Sequence, residues 1–270
     1  MSSPKKLVEV LFDRPVLAIA AVPIKLKEVN GVIGKTYALR NDDTPFHIDQ
    51  HPHLPAHLQI LVCVKQASDS GGESLFLDTW PLLDNLKKEK SDLYKKFLTS
   101  PRITMFQKMP WCAPIFSFRA GNFLCVHSPN VQKGDENGRA FQDLIDASPA
   151  IRFKMEPGEL VVNNNHRLLH ARTAFTDPSR HLIRILAWFV EPILPPREHV
   201  ERAAKIARST ESLAEDLPLW MRKRLGLSGK LADLKSYTEA DILAYYRDGF
   251  SEDPEKVDAL IEAYKTITDE

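Results

Sequence analysis

Two histidines and one carboxylate form the ligand set of a mononuclear Fe(II) centre that keeps coordination positions open for its reactants. The segment PFHIDQ supplies His47 and Asp49, and NNNHRLLHART supplies His170 more than a hundred residues later. His47 and Asp49 stand two positions apart. On a strand such residues face the same way, so both side chains reach one ion. His170 must then come from a distant strand brought alongside. An HxD pair alone carries little, because in a chain with nine histidines it arises readily by chance. Its bland reading is a strand-end histidine beside a loop.

Arg180 and Arg184 follow His170 by ten and fourteen residues, in SRHLIRILAWFV. Arg180, Leu182, Arg184, Leu186 and Trp188 share parity on that strand, so both arginines point to one face. Buried arginine is rarely left unpaired, and its fork suits a carboxylate. Beside an iron site this asks for an anionic small molecule, and 2-oxoglutarate is the expected co-substrate. The alternative is an internal ion pair with Glu73, Asp78 or Glu156.

Other polar residues near these motifs keep two readings each. His51, His53 and His57 are either surface-loop residues or pocket residues, and HxDxHxH by itself is a rival zinc site. That rival leaves the two arginines unexplained. Arg172 is a substrate contact or a structural salt bridge. One of Asn163, Asn164 and Asn165 is expected to satisfy backbone groups where the strand turns. Arg119 and His127 lie on strands able to face the pocket, while Trp111 and Phe116 read as core. These polar and basic residues point to a small carboxylate-bearing substrate such as an amino acid or its derivative.

The elements that must position these groups are legible in outline. The chain has 270 residues, 43% hydrophobic and 27% charged, enough for a sizeable core. Lys+Arg and Asp+Glu both total 36, so charge argues for neither nucleic acid nor membrane. No apolar run reaches membrane-spanning length. MSSPKKLVEV lacks the apolar stretch of a signal peptide, and a cytoplasmic location is the expectation. The three cysteines form no CxxC pair, and Cys63 reads as a buried strand residue.

LAIAAVPIKL reads as a strand ending near Pro23, and GVIGKTYALR as a short one. HLQILVCVK, SLFLDTW, GELVVNNNH and SRHLIRILAWFV read as strands, with PRITMFQ and APIFSFRAG as a pair. Leu82, Leu83, Leu86, Leu93 and Phe97 give residues 81–100 the spacing of a helix, and NGRAFQDLIDASPA gives a second. Residues 1–195 therefore suit a mainly β, jelly-roll barrel. Four amphipathic stretches over 196–270 predict a helical C-terminal extension. Its Trp220, Met221, Tyr245 and Tyr246 serve as core, as a lid, or as a homo-oligomer contact.

HIDQ, GGESLFLD, NNNHRLLHART and SRHLIR together resemble the taurine dioxygenase / clavaminate synthase-like family, in order and approximate spacing across residues 44–190. The resemblance implies a distorted double-stranded β-helix. It also implies Fe(II)- and 2-oxoglutarate-dependent oxidation by O2, with release of succinate and CO2. His47, Asp49 and His170 would bind iron. Arg180, assisted by Ser74 of GGES, would hold the distal carboxylate of 2-oxoglutarate. Arg184 would lie near the iron-bound carboxylate end or partly face the substrate. Low-specificity substrate candidates are His51 and Arg172. The implied outcome is hydroxylation of an unactivated carbon, with desaturation, epoxidation or cyclisation as alternatives. A non-catalytic metal- or ligand-binding barrel is the reading from a different class. LHART stands where LHGRT is commoner, and the present Asp49 disfavours a halogenase-type site.

Overall fold

The computed structural model describes residues 4–206 with breaks at 27, 30–31, 34–39, 50–54, 101, 107–108, 120–121, 130, 132–133, 192, 194–199 and 204, and then 239–240. The chain is mainly β and antiparallel. One four-stranded sheet has the order β1 (Val16–Lys25), β14 (His181–Phe189), β5 (Leu58–Lys65), β12 (Leu160–Asn164). A second has the order β11 (Ile151–Phe153), β6 (Ser74–Asp78), β13 (Leu168–Arg172), β4 (Thr44–His47). Three two-stranded pairs accompany them: β2 (Glu28–Val29) with β3 (Val32–Ile33), β7 (Arg102–Phe106) with β8 (Met109–Ala113), and β9 (Phe116–Arg119) with β10 (Asn122–Cys125).

Both faces of β14 are buried, which explains its nearly continuous apolar run. Leu186 and Trp188 pack with Ala18, Ala20 and Ala56. Ala187 and Phe189 face the other way, against Leu58, Ile60 and Val8. Val8 belongs to α1 (Pro4–Phe12), and the Phe12 ring meets Phe189 edge-on at 6.0 Å. The sequence reading missed this helix. Its signal was Val8 and Phe12, one helical repeat apart on the face that covers the sheet.

Three expectations about elements need correction. β1 does not end near Pro23 but continues to Lys25, with Pro23 opposite Ile183. Proline is tolerated because β1 is the outer strand of its sheet, where one missing N–H breaks no ladder. Residues 81–100 form two helices, α2 (Thr79–Glu89) and α3 (Ser91–Thr99), broken at Lys90 (φ −141°, ψ 65°). No apolar residue anchors KKEK across that break. PRITMFQ pairs not with APIFSFRAG but within the β7–β8 hairpin, and the latter segment supplies β9 of the next hairpin.

α2 is capped by Asp78, which accepts from Trp80 N–H at 3.1 Å. Asp135 caps α4 (Glu136–Asp146) through Gly138 N–H at 2.7 Å. Phe97, Phe116 and Phe141 interlock edge-on. They centre the largest core, in which Val200 and Ala203 are also buried. Cys63 is 1% exposed, as expected of a strand residue.

Buried histidines brace the framework. His57 and His166 lie with ring centroids 4.9 Å apart. His57 Nδ1 accepts from Phe189 N–H at 3.1 Å, and His166 Nε2 lies 3.0 Å from Pro55 O. Burial, only partly offset by Pro55, lowers His166 to about 4. Burial and then the Arg102 charge lower His127 to about 3. In the unfolded chain these groups titrate near ~6.5. Between the two values the unfolded state binds more protons, so stability rises with pH. It is therefore expected to be lost as pH falls from about 6.5 toward 4. Melting temperatures across that window check this. A flat profile would contradict neutral buried imidazoles.

Candidate metal and dicarboxylate site

His47 is the last residue of β4, and the antiparallel ladder sets it opposite His170 on β13. The two rings lie 4.3 Å apart between centroids. Asp49 follows just beyond the strand. Asn165 fixes its backbone on both sides: Asn165 Oδ1 accepts from Asp49 N–H at 2.9 Å, and Nδ2 donates to Asp49 O at 3.1 Å. Nδ2 also donates to Ala56 O at 3.0 Å. Of the three consecutive asparagines, Asn165 thus carries the backbone role expected of one.

One ligand atom from each of His47, Asp49 and His170 lies within 4.8 Å of the other two. His47 Nε2 is 3.9 Å from Asp49 Oδ1, and His170 Nε2 is 3.8 Å from Oδ2. His47 Nδ1 meets Pro45 O at 2.8 Å. A carbonyl only accepts, so Nδ1 carries the proton and Nε2 turns its lone pair inward. Burial, then the charge of His170, lowers His47 to about 4, so the ring is neutral at ordinary pH. Burial alone would raise the Asp49 carboxyl. Arg184, followed by His170 and His47, outweighs it and holds the group well below the usual carboxylate range. Two imidazole nitrogens and one carboxylate oxygen gathered this closely fit a divalent ion of the iron type.

The cavity lies between the two sheets. Gln59, Leu61, Leu182 and Arg184 line it from one side, and Thr44, His47, Ser74, Phe76, His170 and Arg172 from the other. Arg180 and Asp49 line it as well. The parity of Arg180, Leu182 and Arg184 is thus realised on one wall. Arg184 Nη1 donates to Asp49 Oδ1 at 2.7 Å.

Arg180 is 4% exposed. Its Nε donates to Gln66 Oε1 at 3.0 Å, Nη2 approaches Gly72 O at 3.4 Å, and the guanidinium sits 5.1 Å from the Phe175 ring. Among the described residues it pairs with no carboxylate. Of the three acids that could have neutralised it, Glu73 pairs with Arg152 and Asp78 with Arg167, while Glu156 is exposed. Burial, then the Arg172 charge, lowers Arg180 to about 10, so it stays cationic. Arg172 Nη2 donates to Asp42 O at 2.6 Å and also lines the cavity. Ser74 is buried on β6, opposite Arg172 in the ladder.

His51 and His53, and with them the rival zinc reading, lie outside the described residues. His57 is not a surface-loop residue but is fully buried, because it bonds the backbone of β14. The sequence reading missed Gln59. Its amide donates to Asp49 Oδ2 and lies 2.9 Å from His170 Nε2. The available signal was one polar residue inside the apolar strand LQILVCVK.

GGES has a physical basis. A Cβ on Gly71 would lie 1.9 Å from Ala174 O. Gly72 has φ +77°, and a Cβ there would lie 2.9 Å from Arg180 Nε. Gly72→Ala is expected to cost ~1–2 kcal/mol of stability for the left-handed backbone and to displace the guanidinium. Gly158 has φ +92° with open space around it, so Gly158→Ala keeps the strain without the displacement. Calorimetry with a small dicarboxylate should show weakened binding for Gly72→Ala only. Equal affinity in both variants would contradict an anion at Arg180.

Residues 27–186 match the family model "Taurine catabolism dioxygenase TauD, TfdA family". A curated relative, 3-((Z)-2-isocyanoethenyl)-1H-indole synthase of Fischerella ambigua (strain UTEX 1903), is 24% identical over 178 residues, 56% of this chain and 65% of that enzyme. The solved structure of PvcB from Pseudomonas aeruginosa is similar at TM-score 0.46 and 19% identity, covering 70% of this chain and 72% of that one. Asparagine oxygenase is similar at TM-score 0.45 and 18% identity, covering 57% and 51%. The chain thus spans about two thirds of the Fischerella enzyme and half of asparagine oxygenase. No described helix is long and apolar enough to cross a membrane. With the family match extending over more than half of the sequence, the chain belongs to the taurine dioxygenase (TauD/TfdA) family.

Proposed function

We propose that this chain is an Fe(II)/2-oxoglutarate-dependent dioxygenase acting on a small polar metabolite such as an amino acid or its derivative. One observation carries the reading. The His47–Asp49–His170 cluster and a buried arginine that pairs with no described carboxylate line the same cavity. A buried guanidinium without an anion is costly, and a dicarboxylate bound there would offset that cost.

Iron bound at the three ligands supplies the oxidising chemistry, drawn from O2 and 2-oxoglutarate. His47 and His170 would offer nitrogen donors, and Asp49 the negative charge. Arg184 holds Asp49 ionised and fixed in rotamer. Arg180 and Ser74 receive the distal carboxylate of 2-oxoglutarate, a charge-assisted contact. Arg184, bonded to Asp49, would lie near the metal end of 2-oxoglutarate or partly face the substrate. Leu61, Phe76 and Leu182 supply apolar lining to the cavity. Arg172, and His51 from outside the described residues, are the proposed substrate contacts.

The two four-stranded antiparallel sheets with the cavity between them support a distorted double-stranded β-helix over residues 1–195. Residues 196–270 would form the helical extension, as scaffold, lid or oligomer contact. Hydroxylation of an unactivated carbon is the proposed outcome. The ethenyl group in the product named for the Fischerella relative supports desaturation as a second reading.

Succinate release from 2-oxoglutarate in air, with Fe(II) supplied, tests the assignment. His47→Ala, Asp49→Ala and His170→Ala are each expected to abolish it. Arg180→Ala should raise the 2-oxoglutarate requirement by ~10-fold or more, as loss of a charged hydrogen bond implies. Undiminished turnover in the ligand variants, or an unchanged requirement in Arg180→Ala, would contradict the respective roles.

A further inference from the structure

Gln59 lies on β5, in the opposite sheet from the two histidines, yet its carboxamide reaches the centre of their cluster. Asp49 oxygens only accept, so the group facing Oδ2 is the Gln59 amide nitrogen. The carboxamide is held in that sense from behind, where Asn163 Nδ2 donates to Gln59 Oε1 at 2.6 Å. Gln59 and Asn163 are each 2% exposed and lie opposite each other in the β5–β12 ladder. The same Gln59 nitrogen stands 2.9 Å from His170 Nε2. An amide nitrogen only donates, so it can pair with His170 only when Nε2 carries the lone pair. That is the tautomer a metal requires, and the ion on binding takes the lone pair in place of the amide. His170 Nδ1 is buried and has no hydrogen-bond partner among the described residues. Nothing behind the ring therefore selects the tautomer, whereas Pro45 does so for His47.

We propose that Gln59, oriented by Asn163, is a positioning residue of the metal centre. It fixes the Asp49 carboxylate through Oδ2 and sets His170 in the tautomer that presents Nε2. The two sheets thereby share one centre: two ligand histidines from one, the amide arm and Arg184 from the other. This inference rests on the metal reading above and goes beyond it, because neither the motifs nor the ligand set includes Gln59.

The test uses Co(II) as a spectroscopic probe with the full chain and Gln59→Met, which keeps length and packing but removes the donor. Wild type is expected to bind Co(II) with a defined visible spectrum. Gln59→Met should bind ~10–100-fold more weakly, the range found when partners of metal ligands are removed, with an altered band pattern. Asn163→Leu, which leaves Gln59 in place but frees its carboxamide, should shift affinity in the same direction by less. Long-range nitrogen–proton NMR on the protein before Co(II) addition should show His170 protonated on Nδ1 in wild type and a mixture in Gln59→Met. A purely structural role would move melting temperature but not that tautomer ratio. Wild-type Co(II) affinity and tautomer in Gln59→Met would overturn the inference. So would a loss of affinity with the His170 tautomer unchanged. If wild type itself binds no Co(II), the metal reading fails, and the inference with it.

Discussion

A buried carboxylate needs positive charge and hydrogen-bond donors, and the fold is arranged around meeting that need at Asp49. Arg184 reaches Asp49 from β14, and Gln59 reaches it from β5. His47 and His170 converge on it from β4 and β13. Asn165 holds its backbone from the turn after β12. Removing one donor from such a cluster strands a charge in a poorly solvating interior, which costs far more than the same loss at a surface. Asp49 thus ties together five strands or their ends, and the site geometry and the sheet packing are one constraint.

The cavity has two poles of different character. At one, the anionic carboxylate and two imidazoles invite a cation. At the other, Arg180 is cationic, braced by Gln66 and Phe175, and approached closely by Gly72 of GGES. Leu61, Phe76 and Leu182 add apolar lining. With a cation seated at the first pole, a ligand that meets both poles would carry an acidic group at each end, which is the chemical outline of 2-oxoglutarate.

Much of this was legible in the residues, for identifiable reasons. Spacing alone pointed to His47 with Asp49 and to Arg180 with Arg184, although Asp49 and Arg180 lie just outside β4 and β14. His170 opposite His47 was not legible, because register between strands more than a hundred residues apart depends on the whole sheet. Gln59 was hidden for a related reason: only the meeting of the two sheets shows what a lone polar residue in an apolar strand touches. The α2–α3 break went unseen because apolar spacing continues across it. The β7–β8 pairing went unseen because adjacent strand-like segments offer several equally plausible hairpins. Neither reading of His57, surface loop or pocket, foresaw that its ring serves the backbone of β14.

The central claim is that one cavity takes both a metal and a dicarboxylate. Anaerobic titration of the Fe(II)-loaded protein with 2-oxoglutarate addresses it directly, through the visible charge-transfer band of the chelated 2-oxo acid. The account requires a saturable band in wild type, absent in Asp49→Ala and displaced to higher 2-oxoglutarate concentration in Arg180→Ala. A folded, iron-loaded protein that shows no band, or a band indifferent to Arg180, would contradict it.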